Sequence, residues 1–182
     1  MQNTVLLVVD VQTSMIENHP YNEDILLSNI NTVISLCREN NIEVIYVRHD
    51  GGIGDELECG TAGWQIYKAI APLDGDKIFD KNLNSAFRGT GLKEYLDSRN
   101  TKGIILTGLQ TEYCIDTTCK VAFEYGYEVV IPEETTSTYD NFYLSGEALS
   151  EYYVKKIWDG RFARIVSMEE LNQYVYGTVN SL

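Results

Sequence analysis

Short apolar runs alternate along this chain with stretches whose apolar residues recur at helical spacing. Residues 4–9 (TVLLVV) are continuously apolar and partly β-branched up to Asp10, the pattern of a strand buried on both faces of a parallel sheet. Leu26, Ile30, Val33, Ile34 and Cys37 share one helical face within residues 25–40. The pattern predicts further strands over 44–47, 77–79, 103–109 (GIILTGL), 127–131 and 163–166, and helices over 92–98, 111–125 and 146–158. Residues 51–63 form a glycine-rich loop, and Pro132 is expected to stop the fifth strand ahead of a polar, threonine-rich loop. Ser167 and Glu170 have capping-box spacing and open a closing helix. Strands alternating with helices imply right-handed βαβ units and a mostly parallel sheet covered on both faces. The expectation is one doubly wound α/β domain over residues 1–182.

The length of 182 residues agrees with a single core. The 27 acidic residues outweigh 14 basic ones, and the resulting net charge of −13 repels phosphate backbones and anionic lipid. Nucleic acid and membrane surfaces are therefore set aside as partners, and no apolar run approaches the length of a membrane span. The first residues carry no basic segment or small-residue cleavage site, and four cysteines are too few for a disulfide framework. A cytoplasmic protein with reduced thiols is expected. Where a dinucleotide fingerprint would follow the first strand, VDVQTS stands instead, so no such cofactor is expected.

In doubly wound sheets, ligands bind outside the carboxyl ends of the strands. Three reactive side chains fall there: Asp10 after the first strand, Lys81 after the third and Cys114 shortly after the fourth. Read singly, Asp10 is a turn or cap residue and Lys81 a solvated lysine. Cys114, near a helix start whose dipole favours thiolate, is equally readable as a buried inert thiol. Delivered together to one rim, an acid, a cation and a thiol make a chemical combination. Lys81 would favour the thiolate and Asp10 would accept its proton.

Five segments carry a resemblance: VVDVQ (8–12), YVRHD (46–50), GTAGW (60–64), DKNLNSAF (80–87) and TGLQTEYCIDTT (107–118) followed by AFEYGY. In this order they resemble the isochorismatase-like cysteine hydrolases, a superfamily that includes nicotinamidases and N-carbamoylsarcosine amidases. The resemblance implies a Rossmann-like three-layer αβα sandwich with a six-stranded, mostly parallel sheet, and commonly a homo-oligomer, dimer or tetramer. It implies a catalytic triad of Asp10, Lys81 and Cys114, with an oxyanion hole from the backbone N–H groups of Gln110 and Cys114 and a cis peptide at Leu109–Gln110. The expected activity is cleavage of an amide-type C–N bond in a small molecule through a thioester on Cys114. Hydrolysis of an ester or carbamoyl bond, and non-catalytic binding of a metabolite or partner, are the alternatives.

Two features separate this chain from better-known branches. Nicotinamidases carry an Asp-x-His and a further histidine as a metal site. Here His49 and Asp50 are adjacent at a strand end, where neighbours point to opposite faces and chelate poorly, so no metal or other cofactor is expected. His49 is read as a hydrogen-bonded strand-end residue. True isochorismatases generally lack the cysteine that Cys114 supplies. Gln12, Met15, Trp64, Phe87 and Tyr113 are the candidates for the substrate pocket, with core packing as the competing reading of each aromatic. Cys119 lies about 140° around the helix from Cys114, which assigns it to core packing. Cys59 is read as a loop thiol. The tyrosine-rich terminal part could bury a subunit interface or pack within the chain.

Overall fold

The computed structural model describes residues 3–179. Its central strand is the first apolar run, β1 (Asn3–Val9), flanked by β2 (Glu43–His49) and β4 (Thr101–Leu109). β3 (Lys77–Lys81) lies outside β2; β5 (Glu128–Pro132) and β7 (Arg164–Val166) lie beyond β4. The order β3-β2-β1-β4-β5-β7 is parallel throughout, and its direction reverses between β1 and β4. That reversal opens a crevice at the carboxyl ends of these two strands.

The alternation of side chains along β1 builds two cores. Leu6 and Val8 pack with Leu26, Ile30 and Val33 of α2 (Glu23–Glu39) and with Leu171 and Val175 of α6 (Met168–Val179). Val5, Leu7 and Val9 face Leu92 and Leu96 of α3 (Leu92–Ser98), Cys119 and Ala122 of α4 (Asp116–Glu124), and Trp158. A strand with both faces in apolar cores has no polar position to spare, which explains the unbroken run in the sequence. The expected capping box starts α6: the Ser167 amide donates to Glu170 Oε2 at 2.8 Å, and the Glu170 amide to Ser167 Oγ at 3.2 Å. Among the described residues, no helix is long and apolar enough to cross a membrane.

Four local features depart from the sequence pattern. A short helix, α1 (Thr13–Glu17), follows β1. The threonine-rich stretch forms a further short strand, β6 (Thr136–Ser137), which pairs with β4 beside Gly108 and Leu109. Its polar side chains are buried, and Thr135 satisfies its hydroxyl on the Pro132 carbonyl at 2.7 Å. Pro132 closes β5 from inside: pairing with β4 ends at Val130, so the N–H that proline lacks interrupts no ladder bond on that side. The helix expected over 111–125 opens with a π-turn, Thr111–Ile115, in which the Ile115 amide reaches back to the Gln110 carbonyl at 3.1 Å. A second π-turn, Tyr153–Trp158, follows α5 (Gly146–Tyr152).

Gly108 sits where β4 passes β1 most closely. Its φ of +125° is a conformation that side chains resist, and a Cβ there would stand 1.9 Å from the Val9 carbonyl oxygen. Gly108→Ala is expected to lower stability by about 2–4 kcal/mol in urea unfolding, through backbone strain and overpacking together. It should also disturb Asp10, which follows Val9 directly; wild-type unfolding would mean that the contact is slack.

Candidate active site

The ends of β1, β2 and β3 lie side by side, and each delivers one polar residue to the rim. β1 gives Asp10, whose backbone turns into the left-handed region (φ +54°) and donates its amide to the Val47 carbonyl at 2.8 Å. β2 ends on His49 and β3 on Lys81, and these two are register partners. From beyond β4, the π-turn places Cys114 opposite them. The peptide between Leu109 and Gln110, at the entrance to that turn, is cis.

Lys81 is the hub. Its side chain is fully buried, and its ammonium lies 2.7 Å from Asp10 Oδ2, 3.2 Å from Cys114 Sγ and 3.2 Å from His49 Nδ1. An ammonium has three donors and no acceptor, so these three partners use its whole capacity. His49 must therefore accept at Nδ1, which puts its ring proton on Nε2. Burial first, and the Lys81 charge second, hold the His49 pKa below the ordinary imidazole value, in agreement with a neutral ring.

The sulfur is held as a thiol. Burial pushes the Cys114 pKa up to about 12, the Asp10 charge adds to the rise, and Lys81 offsets only part of it. The expected thiolate support from Lys81 is present but outweighed, because the same ammonium already neutralises Asp10. Asp10 Oδ1 is buried and accepts from no other group in the structure, and a hydrogen bond with Asp10 contributes to the raised thiol pKa, so an acceptor stands beside the thiol. The arrangement is a buried, charge-balanced group in which a carboxylate oxygen stands beside a protonated sulfur.

An open groove leads away from this cluster. Thr117, Val121 and Tyr125 form one wall, on a single face of α4 and the residue after it; His49, Asn84 and Phe87 contribute to the rest. Asn84 Oδ1 lies 4.0 Å from the sulfur, which joins the groove to the cluster. A separate cavity, lined by Tyr21, Glu133, Glu134, Ser150 and Glu151, contains none of these groups.

Of the five residues expected in the pocket, Phe87 lines this groove, with its ring edge-on to Tyr125 at 5.4 Å. Gln12 has another task. Fully buried, it accepts from the His49 amide at 2.8 Å and donates to the His49 and Trp64 carbonyls, each at 2.9 Å. Both donors and one lone pair of its amide are spent on backbone, so it clamps His49 in place rather than meeting substrate. Met15 packs against the α2-side core and offers its carbonyl to the Tyr139 hydroxyl. Trp64 is covered by the Arg48 guanidinium, 3.5 Å from its ring centroid. Tyr113 is half exposed on the π-turn, outside the groove lining.

His49, Asn84 and Thr117 were not among the expected site residues. The pairing of His49 with Lys81 was the available signal, because register neighbours in a parallel sheet point to the same face. His49 and Asp50 do not form a chelate here: His49 Nδ1 is taken by Lys81, and Asp50 Oδ1 accepts from the Gly52 and Cys59 amides. Among the described residues, no group of three or more His, Cys, Asp or Glu side chains is placed to hold a metal ion. Cys37 and Cys119 are buried and Cys59 is exposed; none of the four cysteines is in a disulfide.

Comparison with known proteins places this geometry in context. A family model for the isochorismatase domain matches residues 4–170. Nicotinamidase 3 of Arabidopsis thaliana is 30% identical over 189 aligned residues, covering 94% of this chain and 88% of its own. N-carbamoylsarcosine amidase of an Arthrobacter species is 39% identical over 71 residues, 39% of this chain and 27% of its own. A crystal structure of an isochorismatase family protein superposes with a TM-score of 0.85 at 30% identity, covering 92% of this chain and 99% of that one.

The electrostatics of the sulfur yield an opposed pair of outcomes for one substitution. Asp10→Asn removes the nearest negative charge and leaves Lys81 facing the sulfur, so the thiol pKa should fall. Alkylation of Cys114 by iodoacetamide, followed by peptide mass spectrometry from pH 7 to 11, should shift to lower pH in Asp10→Asn. A shift to higher pH would contradict the charge balance described above.

Proposed function

The chain belongs to the isochorismatase family, and on that basis we propose that it is a cysteine hydrolase that cleaves amide-type C–N bonds of small molecules. The single observation that carries this reading is the Lys81 ammonium, within 3.2 Å of both a carboxylate and a thiol at the strand-order reversal. The named amidases among its relatives support it.

In the proposed reaction, Asp10 takes the Cys114 proton as sulfur adds to the substrate carbonyl carbon. The carbonyl π electrons move to oxygen, and the backbone N–H groups of Gln110 and Cys114 hold the resulting oxyanion. Both amides belong to the start of the turn, where the first N–H groups of a helix lack intrahelical acceptors. Protonated Asp10 then gives its proton to the nitrogen as the C–N bond breaks, releasing amine and leaving a thioester. Water adds to that thioester while Asp10 takes its proton; collapse expels sulfur, which recovers the proton from Asp10. The products are a carboxylic acid and ammonia or an amine. Lys81 stays protonated throughout and keeps the excess negative charge of each stage compensated. The raised thiol pKa suits this sequence, because the proton leaves only when the new S–C bond forms.

Ammonia release from a panel of small primary amides tests the reading. Cys114→Ala should lower turnover by roughly 10⁴-fold or more while leaving the thermal unfolding midpoint near wild type. Asp10→Asn should be comparably inactive despite its more reactive sulfur. Full activity in either folded variant would refute the assignment.

A further inference from the structure

The groove beside Cys114 has a direction. Asn84 Oδ1 lies 4.0 Å from the sulfur, the Ala86 amide is anchored on Thr118 Oγ1 at 3.1 Å, and the Phe87 ring meets Tyr125 at 5.4 Å. The segment from Asn84 to Arg88 therefore runs along the helix away from the reacting atom. From Thr117 to Tyr125 the helical wall advances eight residues, about 12 Å. His49, Asn84 and Thr117 give the groove polar lining, with Asn84 nearest the sulfur; Phe87 and Val121 are apolar; and Arg88, next in the chain after Phe87, also lines it.

Charge sets this groove apart from the rest of the molecule. The protein carries a net charge of −13, yet no Asp or Glu is among the groove's lining residues. The cavity between α2 and α5, by contrast, is lined by Glu133, Glu134 and Glu151. Arg88 is exposed and, among the described residues, pairs with no carboxylate. Lys81 contributes no net field, because Asp10 compensates it. A guanidinium without a partner in the lining of an acid-free groove is a receptor for a planar anion, which it grips through two parallel hydrogen bonds.

We infer that the substrate is an amide that also carries a carboxylate, separated from the scissile carbonyl by a short apolar stretch, with Arg88 holding the carboxylate. This rests on the hydrolase reading above for the bond that breaks, and on the groove alone for the group that is held.

Monoamides of straight-chain dicarboxylic acids, from succinamic to suberamic acid, are the probes, each set against the neutral alkanamide of equal length. The expected result is a kcat/KM preference for the acid of roughly tenfold or more at the best length, the size of one charge-assisted hydrogen-bonded contact. In Arg88→Gln that ratio should collapse through KM rather than kcat, and Arg88→Lys should restore part of it. Equal rates for acid and neutral amide, or a preference that survives Arg88→Gln, would overturn the inference while leaving the hydrolase reading intact. If no amide is turned over, calorimetry of adipamic acid with Cys114→Ala decides. Binding that is lost in the Cys114→Ala, Arg88→Gln double variant upholds the groove assignment although the hydrolase reading has failed; no binding overturns the groove assignment as well.

Discussion

Everything at the rim of this sheet depends on one ammonium group taken out of water. Lys81 arrives on an outer strand, loses all contact with solvent, and recovers that loss from three short contacts to a carboxylate, a sulfur and an imidazole. Removing one partner of a buried ion pair strands the other, at a cost of about 3–5 kcal/mol, so the presence of Asp10 and that of Lys81 depend on each other. The cluster is neutral with the proton on sulfur or on Asp10, and gains a net negative charge only if that proton leaves the group altogether.

Around this hub the protein spends buried hydrogen bonds on placement. Asp10 adopts a left-handed backbone conformation immediately after a strand, which aims its carboxylate across the sheet instead of along it. Gln12, two residues on, ties β1 to the last residue of β2 and to the glycine-rich loop through His49 and Trp64. The tautomer of His49 is thereby a consequence of both neighbours: Gln12 fixes where the residue sits, and Lys81 fixes which nitrogen bears hydrogen.

Much of this was legible in the sequence, and the limits have physical causes. The strands β1 and β4 announce themselves because burial on both faces forces continuous apolar runs, and the reactive residues fall where those runs stop. The β6 strand is hidden because Thr136 and Ser137 are buried yet polar, and the Ser137 hydroxyl donates to the Tyr21 carbonyl, a partner that only the folded chain supplies. The π-turn before α4 was read as helix, since one extra residue per turn leaves the apolar spacing nearly unchanged. His49 was read as a hydrogen-bonded strand-end residue, but its partner could not be named, because Lys81 is its neighbour across the sheet and not in sequence. Gln12 was a candidate for the substrate pocket because it follows the first strand; nothing in a linear pattern tells an amide that binds a ligand from one that binds backbone. The sign of the balance at Cys114 was likewise out of reach, because it depends on how completely Lys81 is already compensated.

The division between sealed machinery and open groove has a bearing on how such a protein changes over generations. Asp10 and Lys81 are buried and paired with each other, and buried Gln12 holds the backbone of His49, the next partner of Lys81. Asn82, Leu83, Asn84 and Arg88 lie on the exposed side of a single segment, where side-chain exchange disturbs little packing. Residues of the second set can therefore be exchanged one at a time, altering the groove's lining while the buried pair and the fold stay as they are.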